Sequence, residues 1–359
     1  MRRLIPLLIA ALASTAWPGS LPAAAEGADK ARKAEYRGAM ETEYPDWFKL
    51  SFLDLAEDVA EARAAGKRLI VLFTQKGCPY CNALVERNLS QKDIEDFLRQ
   101  NFDVVALDMW GDREVTGLDG TAYTEKAFAA ALKVQFTPTL LFFDEEGRII
   151  LRLNGYVPPR RFRLALEWAA DHRPGQPGFR EFLARRAPPA GSGELIREPF
   201  FLPPPVDLRP RGRPIAVFFE QRDCPACETL HRKVLPDARL RELLSGFTVA
   251  QLDMWSRDPV TTPGGERLSA REWADRLDIR YAPTIVLFAA DGTEVIRGEA
   301  FFKLFHIRGM FEYVARGAWR EQPSFQRFLS ALAEEEIEHG RDVDIWSYAR
   351  DRPEAETAP

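Results

Sequence analysis

Cysteine is scarce in this chain of 359 residues: four in all, which excludes a disulfide-dense scaffold. An excess of positive charge is missing too. Lys and Arg number 49 against 54 Asp and Glu, a formal charge of −5, so nothing electrostatic points to nucleic acid. Beyond the first 20 residues there is no apolar run approaching the ~18 residues that a membrane span needs. No cysteine precedes Cys78, so no residue is available to carry an N-terminal lipid. What is present is ordinary for a globular protein, 46% hydrophobic and 29% charged residues. At about 150 residues per domain, the length suggests two domains or slightly more.

The first residues read as an address. Arg2 and Arg3 form a basic start, residues 4–17 are mostly apolar, and Ala23-Ala24-Ala25 fits a small-residue cleavage site. The stretch is short for a membrane anchor and contains Pro6 and Pro18. Residues 1–25 are therefore read as a signal peptide, and the rest of the chain as working in a bacterial periplasm. That compartment permits stable disulfides.

The chain repeats itself. Cys78-Pro79-Tyr80-Cys81 aligns with Cys224-Pro225-Ala226-Cys227 at an offset of 146, which also carries Leu84 and Leu89 onto Leu230 and Leu235. At an offset of 145, Leu107-Asp108-Met109-Trp110 matches Leu252-Asp253-Met254-Trp255, and Pro138-Thr139 matches Pro283-Thr284. Farther on, Gln176-Pro177, Phe179 and Phe182-Leu183 match Gln322-Pro323, Phe325 and Phe328-Leu329, again at 146. Solenoid repeats run ~20–50 residues. This period is far longer, so whole domains are duplicated.

Each unit has the same order of elements. Leu69-Ile70-Val71-Leu72-Phe73 and Ile215-Ala216-Val217-Phe218-Phe219 are continuous apolar runs, the pattern of strands buried on both faces. Each leads straight into its cysteine pair, whose proline suits the first turn of a helix. A helix, a strand (104–107 or 249–252), another helix (123–132 or 269–277), a strand hairpin and an amphipathic helix (160–170 or 305–315) follow. The fold class is α/β, two tandem domains each with a mixed sheet flanked by helices. Domain 1 spans 44–172, with a leading helix expected over 46–65 and capped near Ser51. Residues 173–204 form a linker with a short helical motif, and domain 2 spans 205–316. Pro203-Pro204-Pro205 and Pro210 forbid a matching leading helix there. Residues 317–359 are a C-terminal helical extension and tail, with a solvated helix expected over 329–339.

The cysteine spacing carries the chemistry. A disulfide between cysteines three apart is readily opened by an incoming thiolate. Cys78 and Cys224, at helix starts, face the positive end of the helix dipole, which favours the thiolate and suits them as attackers. Cys81 and Cys227, one turn on, would resolve the mixed disulfide. Zinc held by all four sulfurs is the rival reading. Against it, 142 residues separate the pairs and each belongs to a complete repeat. Lys76 and Arg222 both stand two residues before the attacking cysteine, as solvated charges or as support for the thiolate. Asp223 adds negative charge beside Cys224 where Gly77 is neutral, so Cys78 is expected to be the more acidic. His231 reads as a surface residue, and the Asp-Met-Trp triplets as strand ends with buried Met and Trp.

Strand, CxxC helix, strand, helix, Pro-Thr strand, hairpin and helix together resemble the thioredoxin superfamily, over about residues 50–170 and 205–316. The resemblance implies cis peptides at Thr137-Pro138 and Ala282-Pro283 beside the cysteines. It also implies that Thr137 and Ala282 pair their backbone with an extended substrate. Within the superfamily the chain looks most like periplasmic thioredoxin-like proteins with a CPxC pair, SoxW-type proteins among them. It departs from thioredoxin itself in lacking the Trp-Cys-Gly-Pro-Cys site. Leu72 and Phe218 stand where thioredoxin places a buried acid, which deprives the resolving cysteine of that proton acceptor.

The resemblance implies a thiol–disulfide oxidoreductase, needing no cofactor and no metal. A disulfide reductase or electron relay is preferred, fed by a membrane dithiol transporter and acting on oxidised periplasmic proteins. A disulfide oxidase or isomerase is the alternative, as is a binding module that uses the groove without redox turnover. Nucleic acid is not expected as a partner, nor membrane embedding once the leader is removed.

Overall fold

A computed structural model describes residues 33–186, 194–300 and 302–348, so the leader read at 1–25 lies outside the described residues. The first half runs β1 (Tyr36–Arg37), α1 (Leu55–Ala64), β2 (Arg68–Thr74), α2 (Pro79–Ala83), α3 (Lys92–Asn101), β3 (Phe102–Asp108), β4 (Glu114–Thr116), β5 (Ala122–Thr124), α4 (Glu125–Ala131), β6 (Thr139–Phe143), β7 (Ile149–Asn154), α5 (Pro159–Asp171) and α6 (Phe179–Arg186). The second half repeats it. Its elements are β8 (Val206–Asp207), β9 (Ile215–Glu220), α7 (Pro225–Thr229), α8 (Ala238–Ser245), β10 (Thr248–Asp253), β11 (Pro259–Thr261), β12 (Arg267–Ser269), α9 (Ala270–Arg276), β13 (Thr284–Phe288), β14 (Glu294–Gly298), α10 (Leu304–Ala315), α11 (Phe325–Glu338) and β15 (Val343–Asp344).

Each half builds a four-stranded mixed sheet, β3-β2-β6-β7 and β10-β9-β13-β14. The first two strands of each are parallel, and the remaining pairings are antiparallel. The apolar runs become the central strands because both sheet faces are covered: every residue of β2, β6, β9 and β13 is buried. Alternation along β2 sends Ile70 and Leu72 to a core with Phe162 and Leu166 of α5. Leu69, Val71 and Phe73 go to the opposite core with Leu55 and Phe128. Among the described residues no helix is long and apolar enough to cross a membrane.

Two expectations are corrected here. The leading helix begins at Leu55, because Asp54 is its N-cap and accepts the Ala56 and Glu57 N–H groups at 3.0 and 3.1 Å. Leu53 just before it has φ 65°, and Ser51 is turned to donate to Asp58 at 2.6 Å. The helix expected to be solvated is also different: α11 buries Phe325, Leu329 and Leu332.

The described residues from Ala34 onward form one compact unit, and the two trailing helices explain how. Each packs its apolar face on the last helix of its own repeat and reaches the opposite repeat with other side chains. From α6, Arg180 donates to the Ile279 carbonyl at 2.9 Å, pairs with Asp275 at 2.6 Å and lies over the Trp255 ring. From α11, Gln326 donates to the Gln135 carbonyl at 3.0 Å and Arg327 lies over the Trp110 ring. Asn154 bonds Glu299, its own counterpart at the 145 offset, so equivalent residues meet between the halves. Finally, β1 pairs with β15 in parallel and ties the two ends of the described chain together.

Candidate active site

Both cysteine pairs sit where a central strand hands over to a helix. The residue before each first cysteine turns left-handed: Gly77 has φ 72° and Asp223 φ 48°. Glycine adopts that conformation freely, and Asp is among the few side chains that tolerate it. The cysteine itself is then the extended N-cap, with proline at the first helical position. Cys78 Sγ accepts the Cys81 N–H at 3.0 Å, and Cys224 Sγ accepts the Cys227 N–H at the same distance. Each pair closes on itself as a disulfide, with Cα separations of 5.3 and 5.2 Å. The four sulfurs do not converge on one centre. Among the described residues no cluster of three His, Cys, Asp or Glu side chains could hold a metal ion.

The peptides Thr137–Pro138 and Ala282–Pro283 are both cis. Each loop lies against its first cysteine, the carbonyl oxygens of Thr137 and Ala282 standing 3.6 and 3.5 Å from the sulfur. One donor differs between the sites. The Thr137 hydroxyl donates to Cys78 Sγ at 3.3 Å, and Ala282 has no counterpart to it.

The remaining charged candidates are placed less directly. Lys76, Arg222 and Asp223 are all exposed, and Arg222 turns to Asp253 at 3.5 Å. Leu72 and Phe218 are buried in the sheets, so neither repeat has a carboxylate at that position.

His231 is not a surface residue. It is 3% exposed, with Nε2 at 3.1 Å from Glu220 and Nδ1 at 3.2 Å from Glu198. Burial works against its protonation, but hydrogen bonds and charge from Glu220 and Glu198 raise its pKa on balance. Gln251 donates to Glu220 at 2.9 Å and completes the cluster. Repeat 1 has Thr74 and Val85 in place of Glu220 and His231, so the cluster belongs to the second repeat alone.

Sequence reasoning missed the Trp–Gln pairs. Trp110 donates its indole N–H to Gln75 at 2.9 Å, and Trp255 to Gln221 at 3.1 Å. Met109 and Met254 are buried as expected, but the two tryptophans are only half-buried, and Trp110 lines the cavity beside Cys78. The signal was available: Gln75 and Gln221 stand three residues before the cysteines at the same repeat offset.

A family model for a thioredoxin-like domain matches residues 55–170 and again 206–314. Among solved structures, a thioredoxin-fold protein from Helicobacter pylori is similar at 15% identity over 37% of this chain and 88% of its own, TM-score 0.31. A thioredoxin from Thermus thermophilus is similar at 25% identity over 33% of this chain and 85% of its own, TM-score 0.27. The C-terminal domain of DsbD from Neisseria meningitidis, in its oxidised form, is similar at 18% identity over 35% of this chain and 98% of its own, TM-score 0.25. Comparison with curated protein sequences finds no match. The two stretches that fit the family model cover more than half of the chain, which belongs to the thioredoxin-like family and carries its domain twice.

Proposed function

We propose that this chain is a periplasmic thiol–disulfide oxidoreductase, working as a disulfide reductase or electron relay on exported proteins. The observation that carries the redox reading is the N-cap geometry of both first cysteines. A sulfur that accepts a helix N–H at 3.0 Å, at the positive end of the helix, is held where a thiolate is stabilised. Export is supported by the basic and then apolar first residues. The CPxC pairs are what the likeness to SoxW-type periplasmic proteins rests on.

In the reduced chain, the Cys78 or Cys224 thiolate attacks a substrate disulfide, forming a mixed disulfide and releasing one substrate thiolate. The Cys81 or Cys227 thiolate then attacks the first cysteine's sulfur. The intrachain disulfide closes, the second substrate thiolate leaves, and two electrons have passed to the substrate. A dithiol donor, in this reading a membrane transporter, returns the pair to thiols. Ala282 offers its backbone to an extended substrate, and Thr137 holds the matching position at the first site, with Pro138 and Pro283 fixing the loops.

Cys81→Ser and Cys227→Ser block resolution, so mixed disulfides should accumulate through Cys78 and Cys224, with exported proteins among those on Cys224. Partners trapped instead in Cys78→Ser and Cys224→Ser chains, through Cys81 and Cys227, would reverse the assigned roles. Partners that are mainly reduced cargo proteins, with substrates accumulating as free thiols in a deletion strain, would favour the oxidase reading.

A further inference from the structure

The two sites share a local geometry and differ in access. Cys78 is 2% exposed, with Pro79, Tyr80 and Cys81 also buried. Cys224 is half-buried and Pro225 is exposed.

What covers the first site comes from the second half of the same chain. The Tyr80 ring is held edge-on by Phe302 at 5.5 Å, His306 at 5.0 Å and Trp346 at 5.0 Å. Its hydroxyl accepts the Lys303 N–H at 2.8 Å. The second site has Ala226 at that position, with no ring to hold. The loop leading to Pro138 is filled as well. Gln326 donates to the Gln135 carbonyl at 3.0 Å, and the Phe325 N–H donates to the Gln135 side chain at 2.9 Å. Phe136 stacks on Phe302 at 4.7 Å and meets Phe325 at 5.4 Å. An extended chain approaching that loop would have to displace α11.

The space left beside Cys78 is a cavity of about 200 Å³, with Gln75, Lys76, Thr137, Gln326 and Ser330 among its walls. Pockets for drug-sized ligands run ~300–1,000 Å³, and water takes ~30 Å³ per molecule in the liquid. The cavity therefore has room for about seven water-sized groups, a small polar compound and not a polypeptide strand.

We propose that the first site exchanges with low-molecular-weight polar disulfides and thiols, while the second site is the one that meets protein substrates. The inference rests on the redox reading of both pairs. At the first site the Cys78 thiolate attacks one sulfur of RSSR, forming Cys78–S–S–R and releasing RS⁻. Cys81 then closes the intrachain disulfide and releases the second RS⁻. The released thiolates take up the protons given up by the two cysteines, and a dithiol such as dithiothreitol restores the pair.

The test uses two full-length chains, one keeping only the first site (Cys224→Ala with Cys227→Ala) and one keeping only the second (Cys78→Ala with Cys81→Ala). Both are assayed with 2-hydroxyethyl disulfide and with insulin. Exchange with protein at the first site is limited to the fraction of molecules with α11 undocked. The first-site chain should therefore reduce the small disulfide within about tenfold of the second-site chain, and insulin about 100-fold more slowly. Gln326→Ala with Arg327→Ala, added to the first-site chain, should speed its insulin reduction about tenfold by loosening α11. Equal insulin rates from the two single-site chains would overturn the division while leaving the redox reading intact. A first-site chain that is folded by circular dichroism but exchanges with neither substrate would overturn the redox reading of that site.

Discussion

Among the described residues the hydroxyl of Thr137 is the one donor to the attacking sulfur that distinguishes the two sites, and exchanging it should change the chemistry. Cys78 Sγ receives the Cys81 N–H at 3.0 Å and the Thr137 hydroxyl at 3.3 Å; Cys224 Sγ receives the Cys227 N–H at 3.0 Å. Hydrogen bonds to charged groups contribute about 1.5–3 kcal/mol. For a bond of this length to sulfur we take the low end, which corresponds to about a tenfold change in thiolate fraction at a pH below the thiol pKa. Alkylation responds less than that, because nucleophilicity rises as acidity falls with a Brønsted slope of about 0.4–0.5, leaving about a threefold slowing. Thr137→Val keeps the shape and removes the donor. In a chain with only the first pair, it should lower the thiolate absorbance at fixed pH and slow iodoacetamide by about threefold. Ala282→Thr in the second-site chain should act in the opposite sense, and by less, because water already reaches half-buried Cys224. An unchanged thiolate titration in Thr137→Val would refute the assignment of the hydroxyl as a thiolate donor.

The buried ionic clusters make predictions of defined sign. With its pKa raised by Glu220 and Glu198, His231 contributes stability that is full below its ordinary value near 6.5 and is lost as pH rises through the raised value. His231→Gln should remove that dependence from urea unfolding midpoints measured between pH 6 and 9 and lower stability by about 3–5 kcal/mol. Glu336 is buried on α11; desolvation opposes its charge, but Arg239, Arg341 and Arg308 hold its carboxyl down at about 2. Its contribution is therefore present above its ordinary range and lost as pH falls toward 2, and Glu336→Gln should cost about 3–5 kcal/mol in chemical denaturation. Phe302→Ala should cost about 3–5 kcal/mol by the cavity it leaves and, in the reduced chain, raise the access of maleimides to Cys78. A Phe302→Ala chain whose Cys78 stays as protected as before would show that the ring is not part of the cover.

Much of the architecture was legible because it is written twice. The repeat fixed two copies of one α/β order, and the apolar runs at 69–73 and 215–219 could only be strands covered on both faces. The cysteine pairs at helix starts and the Pro-Thr strands were legible for the same reason. What failed depended on contacts distant in the chain. His231 looked superficial because its helix alone offers no partner; Glu220 comes from β9 and Glu198 from the segment before β8. A solvated helix was expected over 329–339, but the apolar residues of α11, Phe325, Leu329 and Leu332, face the interior. The cap was expected near Ser51, but the chain turns left-handed at Leu53 and the helix is capped by Asp54. That each trailing helix also reaches across to the opposite repeat has no local signature, so the closure of the first site was invisible in the sequence. Asp223 is exposed, where salt screens its charge, and the expectation that Cys78 is the more acidic thiol is one that titration of each single-site chain would check.

The central claim is that both cysteine pairs are reversible two-electron couples. Each single-site chain should be equilibrated in thiol–disulfide buffers of graded potential and its oxidised fraction counted by alkylation and mass spectrometry. The account predicts that both pairs titrate between about −270 and −120 mV, the range of thioredoxin-fold redox sites. A pair that stays oxidised to below about −300 mV, as structural disulfides do, would contradict it.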